Sequence, residues 1–284
     1  MNNDMGPPSL FDTMSEGGRT LVEYFAGRAL SGLAGTATPQ GYGQPVLVFP
    51  GLGGGDITTK PLRNFLTKKG YAAHGWNGRI NTGPDAATLA HLKARLEDVY
   101  AQSGGKKVAL IGHSLGGIYA RELARAFPEK VSRVITLGTP FGIGQNKNAT
   151  EPMTRKLFEA FNGANNPLAN SEDFARQSLI PPEVPTTSIY TRNDGVVNWR
   201  ACINPKAVSA ENVEIYASHC GLVVNPVSFL VIADRLAEDV SLGAKRWRPF
   251  EFLKYPEVPF RIPQAHAGRE PVAAVPAAFV KLFT

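Results

Sequence analysis

The strongest constraint in this sequence is the pentapeptide 112–116, which reads Gly-His-Ser-Leu-Gly. A short apolar run rich in β-branched residues precedes it at 107–111, and a segment with helical spacing follows it. This order predicts a buried strand, a tight turn and a helix. In such a turn the serine adopts a strained backbone conformation, and the flanking glycines avoid the clashes that a Cβ would cause. The pattern therefore predicts that Ser114 is an exposed nucleophile, and the alternative is an ordinary strand-to-helix turn.

Strand-like and helix-like segments alternate on both sides of this motif. The predicted strands lie at 46–49, 71–76, 107–111, 133–138, 187–191 and 212–219, and helices are predicted at 58–69, 86–103, 117–127 and 223–240. One or two short helices are expected at 10–30, because Gly17 and Gly18 interrupt the apolar period there. The alternation predicts an α/β fold, with a mostly parallel central sheet flanked by helices on both faces. We expect this domain to occupy residues 1–250.

Two stretches depart from the alternation. Residues of about 142–185 separate two predicted strands and carry Met153, Leu157 and Phe161 at helical spacing. A segment of that length between strands is usually functional, so we expect a helical cap or lid, and the alternative is a surface excursion. The Pro-rich C-terminal stretch 251–284 shows no clear period. It is expected to pack on the domain as an extended tail or to be partly mobile.

Composition excludes several classes of function. The formal net charge of +6 comes from basic residues scattered along the chain, so nucleic-acid binding is not expected. No run approaches the roughly 18 apolar residues of a membrane span, and the N-terminus lacks the apolar core of a secretory signal, which favours a cytoplasmic location.

The Gly-rich turn at 50–56 matches neither a P-loop nor a dinucleotide fingerprint. Without a C-x-x-C motif or paired histidines, no metal is expected, and the oligomeric state stays open.

A serine hydroxyl is a poor nucleophile at neutral pH, so Ser114 needs a base and an acid that orients the base. In enzymes built on this turn, the acid and then the histidine follow the serine along the chain. Of the five histidines, only His219 and His266 come after Ser114. His219 ends a predicted strand, where the catalytic groups of open α/β sheets lie, whereas His266 belongs to the Pro-rich stretch. We therefore favour His219 as the base.

Asp194 is the candidate acid. It directly follows a buried-strand pattern, whereas Glu122 and Glu129 fall in the helix after Ser114 and five further carboxylates fall in the insertion. The alternative is that Asp194 only forms a turn, since it stands in an Asn-Asp-Gly sequence.

Taken together, these segments resemble the α/β-hydrolase family and, within it, the bacterial serine esterases and lipases. The resemblance covers about residues 45–240 and is carried by the motifs at 112–117, 137–140, 194–195 and 218–221. It implies a triad of Ser114, Asp194 and His219. It also implies an oxyanion hole made by the backbone amides of Leu115 and Leu52, although many relatives have His-Gly where this chain has Pro-Gly at 50–51.

The two cysteines, Cys202 and Cys220, follow Asp194 and His219 along the chain. If the acid and the base lie side by side, the cysteines are expected to be close as well, and a disulfide between them would tie the two loops together. Such a bond would favour an oxidising compartment. The alternative is a pair of reduced thiols, as in the cytoplasm.

The resemblance implies a serine hydrolase without a cofactor that cleaves carboxylic esters of short to medium acyl chain. Its partner is a small ester or a lipid, because the apolar residues of the insertion would offer an acyl pocket. An acyltransferase that uses the same acyl-enzyme is one alternative. A non-catalytic binding protein that keeps the fold is another, but a receptor has no need of a strained serine turn.

Overall fold

The computed structural model describes residues 7–36, 39–142 and 178–237. Most of the predicted insertion at 142–185 lies outside these residues, as do the C-terminal stretch 251–284 and His266. The described part contains six strands and five α-helices. The strands are β1 (Pro45–Phe49), β2 (Ala72–Gly75), β3 (Val108–His113), β4 (Val131–Leu137), β5 (Thr186–Tyr190) and β6 (Ala210–Glu214). The helices are α1 (Leu10–Thr36), α2 (Asp56–Lys68), α3 (Ala86–Gln102), α4 (Leu115–Ala126) and α5 (Pro226–Ala237).

The six strands form one sheet in the order β2-β1-β3-β4-β5-β6, and every described pairing is parallel. The predicted α/β fold with a parallel central sheet is thus confirmed. The chain moves outward from β1 to β2 and then returns to the other side of β1 with β3. The crevice between the carboxyl ends of β1 and β3 is therefore the topological switch point, which is where open α/β sheets bind ligands.

Alternate residues of the strands face two separate hydrophobic cores. On one face Val46, Val48 and Ile111 pack with apolar side chains of α2 and α5. On the other face Leu47, Phe49 and Leu110 pack with those of α3 and α4. Burial on both faces explains why these strands read as continuous apolar runs rather than as alternating patterns.

The N-terminal region forms one helix of 27 residues, α1, and not the one or two short helices expected from its sequence. Gly17 and Gly18 lie within α1, and a Cβ at either position would meet nothing within 4 Å. Each glycine costs a helix about 1 kcal/mol relative to alanine. Tertiary contacts outweigh that cost, because α1 packs against α2, α5 and the 3₁₀ turn Cys220–Val223.

Arg121 of α4 contacts residues on both sides of the stretch 143–177. Its side chain is fully buried and donates hydrogen bonds to Ser178 O (3.0 Å) and to Asn204 Oδ1 (2.6 Å). Its guanidinium also lies 3.9 Å from the centroid of the Phe141 ring. These contacts join the two ends of the stretch 143–177 to the helix that follows Ser114.

Candidate active site

Ser114 occupies the turn between β3 and α4 and has φ 50° and ψ −120°. Asn77 is the other non-glycine residue with positive φ within the described ranges. A residue with a side chain pays about 1–3 kcal/mol for such a conformation, so the surrounding contacts must hold it in place. One of them is the hydrogen bond from the Ser114 amide to Leu137 O on β4 (2.8 Å). The predicted strained turn at Ser114 is therefore observed.

The glycines around Ser114 are required by close backbone contacts. A Cβ on Gly112 would lie 2.2 Å from Gly116 O, and a Cβ on Gly116 would lie 2.5 Å from Phe49 O at the end of β1. Real Cβ atoms do not approach other atoms so closely. The start of α4 can therefore sit against β1 and β3 only because these two positions lack side chains.

The other two predicted residues meet in a buried pair. His219 Nδ1 lies 2.7 Å from Asp194 Oδ2, and each residue is only 3% exposed. Asp194 lies in the loop 191–197 after β5, which we call the acid loop, and its Oδ1 accepts hydrogen bonds from the amides of Val196 (2.9 Å) and Val197 (2.8 Å). His219 lies in the loop 215–222 after β6, which we call the histidine loop. The carboxylate is thus oriented by two amides, and it in turn orients the imidazole.

The pKa of His219 reflects two opposing influences. Burial disfavours the imidazolium and lowers the pKa, but the charge and hydrogen bond of Asp194, together with the charge of Glu16, outweigh it. The net result is a pKa above the ordinary value for histidine. This environment suits a base that must receive a proton during a reaction, because the imidazolium is stabilised as it forms.

His113, the residue before Ser114, connects the serine turn to the histidine loop. Its Nε2 donates a hydrogen bond to His219 O (3.0 Å), and the two imidazole rings lie 5.0 Å apart between centroids. Burial, and secondly the neighbouring His219, lower the pKa of His113 to about 3. His113 is therefore neutral near pH 7 and positions the backbone of His219 without competing for a proton.

The three predicted residues thus lie at the carboxyl ends of β3, β5 and β6. Asp194 and His219 are in direct contact, and His113 joins the segment of Ser114 to that of His219. Within the described residues Ser114 Oγ makes no hydrogen bond to the His219 ring. In enzymes without substrate this contact is often long and tightens only in the complex.

The turn after β1 faces the serine turn. A Cβ on Gly51 would lie 3.1 Å from Ser114 Cβ, so the two turns are in van der Waals contact. Asn81 holds this turn by two hydrogen bonds. Its side-chain Nδ2 donates to Pro50 O (2.9 Å), and its backbone carbonyl accepts from the Gly53 amide (2.8 Å). The Tyr119 hydroxyl donates to Asn81 Oδ1 (2.9 Å). No sequence motif around Asn81 indicates that its side chain would bind the turn after β1.

Helix α1 contributes a second group of residues that sequence analysis missed. Glu16 accepts hydrogen bonds from the amides of Cys220 (2.8 Å) and Gly195 (3.2 Å). Glu23 accepts from the amide (2.7 Å) and the hydroxyl (3.0 Å) of Ser218. The N-terminal sequence gave no signal for these contacts, because nothing in it indicates which loops a helix will cover.

The predicted disulfide is wrong. Cys202 and Cys220 are both free, with Cys202 buried and Cys220 exposed. Cys202 ends a 3₁₀ turn and packs with Tyr190 and Val197 under the acid loop. Cys220 begins the next 3₁₀ turn, where its amide binds Glu16 of α1. The acid and the base do meet, but Cys202 packs in the core beside Tyr190, whereas Cys220 is exposed and its amide binds α1.

The described residues contain no cluster of three or more histidine, cysteine or carboxylate side chains that could hold a metal ion. None of their helices combines the length and apolar character needed to cross a membrane.

Residues 44–163 match a family model described as alpha/beta hydrolase fold. A segment of 123 residues is 30% identical to the "Putative carbamate hydrolase RutD" of Cronobacter turicensis and covers 42% of this chain and 43% of that protein. A segment of 72 residues is 39% identical to a triacylglycerol lipase of Pseudarthrobacter phenanthrenivorans and covers 25% of this chain and 22% of that lipase. The matched segment thus spans less than half the length of these relatives.

Solved structures show the same fold. The mature form of the lipase BlEst2 from Bacillus licheniformis superposes with a TM-score of 0.51 at 21% identity, covering 70% of this chain and 94% of that structure. Aspergillus fumigatus lipase B superposes with a TM-score of 0.51 at 17% identity, covering 69% of this chain and 53% of that structure.

Proposed function

Because the chain belongs to the α/β-hydrolase fold family, we propose that it is a serine hydrolase of carboxylic esters. Ser114 is the nucleophile, His219 the general base and Asp194 the acid that orients it. One observation carries the proposal: a buried imidazole–carboxylate pair, 2.7 Å apart, lies on the same sheet edge as a serine held at φ 50°. A protein that only binds ligands gains nothing from the strain at Ser114.

The reaction follows from these positions. Ser114 Oγ attacks the ester carbonyl carbon while His219 Nε2 takes the hydroxyl proton, and the imidazolium is stabilised by Asp194 through Nδ1–H. The tetrahedral intermediate collapses when His219 returns the proton to the departing alcohol, which leaves an acyl group on Ser114. Water then attacks the acyl-enzyme, with His219 again as the base, and releases the carboxylic acid and free Ser114.

The amides of Leu52 and Leu115 are the proposed oxyanion hole. Leu115 is the first residue of α4, so its amide has no partner within the helix and adds to the positive end of the helix dipole. Leu52 lies in the turn that contacts Ser114 and that Asn81 braces. Donors held rigidly in this way stabilise the negative oxygen of the intermediate, and each contributes on the order of 3 kcal/mol.

We propose esters of short to medium acyl chain as substrates. The names of the relatives, a carbamate hydrolase and a triacylglycerol lipase, support hydrolysis at a carbonyl bonded to a heteroatom. Acyl transfer to an alcohol would use the same acyl-enzyme. The amount of transfer product formed when an alcohol is added distinguishes the two outcomes.

A fluorophosphonate probe tests the assignment directly, because it reacts with activated serines. We expect mass spectrometry to find one labelled residue, Ser114, in the wild-type protein, and no label in Ser114→Ala. Turnover of p-nitrophenyl acetate, butyrate and octanoate then gives the acyl preference. Labelling of another residue, or no labelling of folded wild-type protein, would refute the proposed nucleophile.

A further inference from the structure

Helix α1 lies against both loops that carry the acid and the base. A Cβ on Gly195, next to Asp194, would lie 2.4 Å from Asp12 O on α1. A Cβ on Gly221, two residues after His219, would lie 1.2 Å from Glu23 Oε2 on the same helix. Both glycines permit a close approach that any side chain would block. The contact between α1 and these loops therefore requires glycine at positions 195 and 221.

Glu16 stands at the centre of this contact. Its Oε1 accepts a hydrogen bond from the Cys220 amide (2.8 Å), and its Oε2 accepts one from the Gly195 amide (3.2 Å). Cys220 directly follows His219, and Gly195 directly follows Asp194. One carboxylate thus holds the two peptide groups that adjoin the two members of the pair.

We propose that Glu16 is a positioning residue that sets the geometry of the His219–Asp194 pair from outside the sheet. The proposal rests on the function proposed above, because it assigns Glu16 a role in the same site. Glu16 reaches across 179 residues of sequence to the acid loop and across 204 to the histidine loop. Hydrogen bonds to a charged acceptor are about twice as strong as those between neutral groups, so this bridge resists separation of the loops.

Other contacts hold each loop but do not duplicate the bridge. Thr191 Oγ1 donates to Ala217 O (2.9 Å), which joins the loops two or more residues away from the pair itself. Arg19 donates to Asn193 O (2.6 Å) and lies 3.4 Å from Glu16 Oε2, so it fixes the carboxylate from behind. Glu23 binds Ser218 of the histidine loop. Among the described residues, Glu16 is the side chain that binds the immediate neighbours of both Asp194 and His219.

Glu16 also acts on the base by its charge. The titratable groups that influence His219 are Asp194 from the acid loop, Glu16 from α1 and His113 from β3. Arg19, Glu23 and Cys220 interact with Glu16. Burial lowers the pKa of His219, whereas Asp194 and then Glu16 raise it. Removing the charge of Glu16 should therefore lower the pKa of His219, and the acidic limb of the rate profile should move to lower pH.

Three variants separate bridging from simple packing of α1. Glu16→Gln keeps the shape, removes the charge and replaces one acceptor by a donor that faces an amide. Glu16→Asp keeps the charge but is too short to reach both amides. Glu23→Gln is the matched control, because it changes a half-buried carboxylate of the same helix that contacts only the histidine loop. Circular dichroism and thermal unfolding check that each variant folds, and Glu16→Asp carries the test if Glu16→Gln does not fold.

Two measurements decide the proposal. Ester kinetics should show kcat lowered roughly ten- to hundred-fold in both Glu16 variants with KM little changed, since small misplacements of catalytic groups have effects of that size. NMR titration of labelled histidines should show a lower pKa of His219 in Glu16→Gln than in Glu23→Gln or the wild type. Equal kcat and equal His219 pKa in Glu16→Gln and Glu23→Gln would overturn the bridging role. If the wild type hydrolyses no ester, the proposed function fails, whereas the NMR titration still decides whether Glu16 acts on His219.

Discussion

The two halves of the candidate site are built in different ways. The nucleophile half consists of β3, the turn at Ser114 and α4, and its shape follows from a few consecutive residues in which Gly112 and Gly116 permit close packing. The base half consists of the acid loop, the histidine loop and α1. Its contacts join residues 25 apart, for Asp194 and His219, and up to 204 apart, for Glu16 and Cys220.

This difference separates geometry that a short motif can encode from geometry that the whole fold must supply. The strained turn between β3 and α4 is specified mainly by its own short motif, although Leu137 of β4 and Phe49 of β1 also contact it. A base and its acid must instead be held by separate loops, whose relative position depends on every element that touches them. We therefore expect substitutions in the base half to alter catalysis over a wide range, and those in the nucleophile half to act mainly by all-or-none loss.

The largest effect tests whether both halves form one catalytic unit. Ser114→Ala and His219→Ala should each lower kcat/KM for p-nitrophenyl butyrate by roughly 10⁴-fold or more, because the members of a triad act together. His91→Ala is the control, since His91 binds Trp76 O on a different part of the fold (2.9 Å). Retention of more than about a tenth of the rate by either variant would contradict the assignment.

The second-largest effect is expected when His219 is kept but Asp194, which is proposed to orient it, is changed. Asp194→Asn should lower kcat by roughly 10³- to 10⁴-fold, because the amide favours the wrong tautomer of His219. The wild-type rate should rise as pH increases through the raised pKa of His219, since only the neutral imidazole is a base. Without the charge of Asp194 burial dominates, so the residual rate should begin to rise at lower pH. Asp98→Asn, on the exposed side of α3, should change neither the rate nor the profile.

A third substitution perturbs the base half through a contact of its ring. Gly138 has φ +57°, and a Cβ there would lie 2.8 Å from Leu222 Cδ1 and 3.1 Å from His219 Nδ1. Gly138→Ala should reduce kcat on the order of ten- to hundred-fold by displacing the imidazole. Gly104→Ala is the matched control, because Gly104 has φ +69° and nothing within 4 Å of the added Cβ. Both variants should lose about 1–2 kcal/mol of unfolding free energy from the positive φ, but only the first should lose activity. An equal kcat in the two would contradict the displacement.

A fourth substitution tests the turn that faces Ser114. Asn81→Ala removes the hydrogen bond from Nδ2 to Pro50 O (2.9 Å) and the Oδ1 acceptor for Tyr119 and Gly83, and it leaves the backbone bonds of residue 81 in place. We expect kcat to fall about tenfold, less than the 10²- to 10³-fold loss of a whole oxyanion donor. Tyr119→Phe removes only one of the two donors to Asn81 Oδ1, leaving the Gly83 amide, and should have a smaller effect. An unchanged kcat in Asn81→Ala would show that the turn holds its shape without this brace.

The smallest effect concerns the cysteines. Because Cys202 and Cys220 are free, a reducing agent should leave the melting temperature and the activity unchanged. Thiol titration of the unfolded, unreduced protein should give two thiols per chain. Recovery of a peptide pair linked through sulfur, or a drop in melting temperature on reduction, would contradict free thiols and would mean that the base half has a covalent constraint.

The parts of the fold that could be predicted are those with a strong local pattern. The strand before Ser114, the amphipathic helix α3 and the alternation that specifies a parallel sheet were visible as periods in the sequence. The boundaries of the strand before His219 were not visible, because β6 ends at Glu214 and His219 lies five residues farther on, at the start of a 3₁₀ turn. Its apolar residues continue into the histidine loop, where Ile215 and Ala217 are buried in the core without being part of the sheet.

Sequence alone determined the strained turn at Ser114, the order of strands and helices along the chain, and the choice of Asp194 and His219 as the proposed acid and base. Tertiary structure decided that α1 is one helix, that the cysteines are free, that Glu16 binds the amides of Gly195 and Cys220, and that Asn81 binds the turn after β1. The physical reason is the range of the interactions. Backbone sterics and hydrophobic periods act between neighbours in sequence, whereas the contacts of Glu16 exist only after the sheet, both loops and α1 have come together.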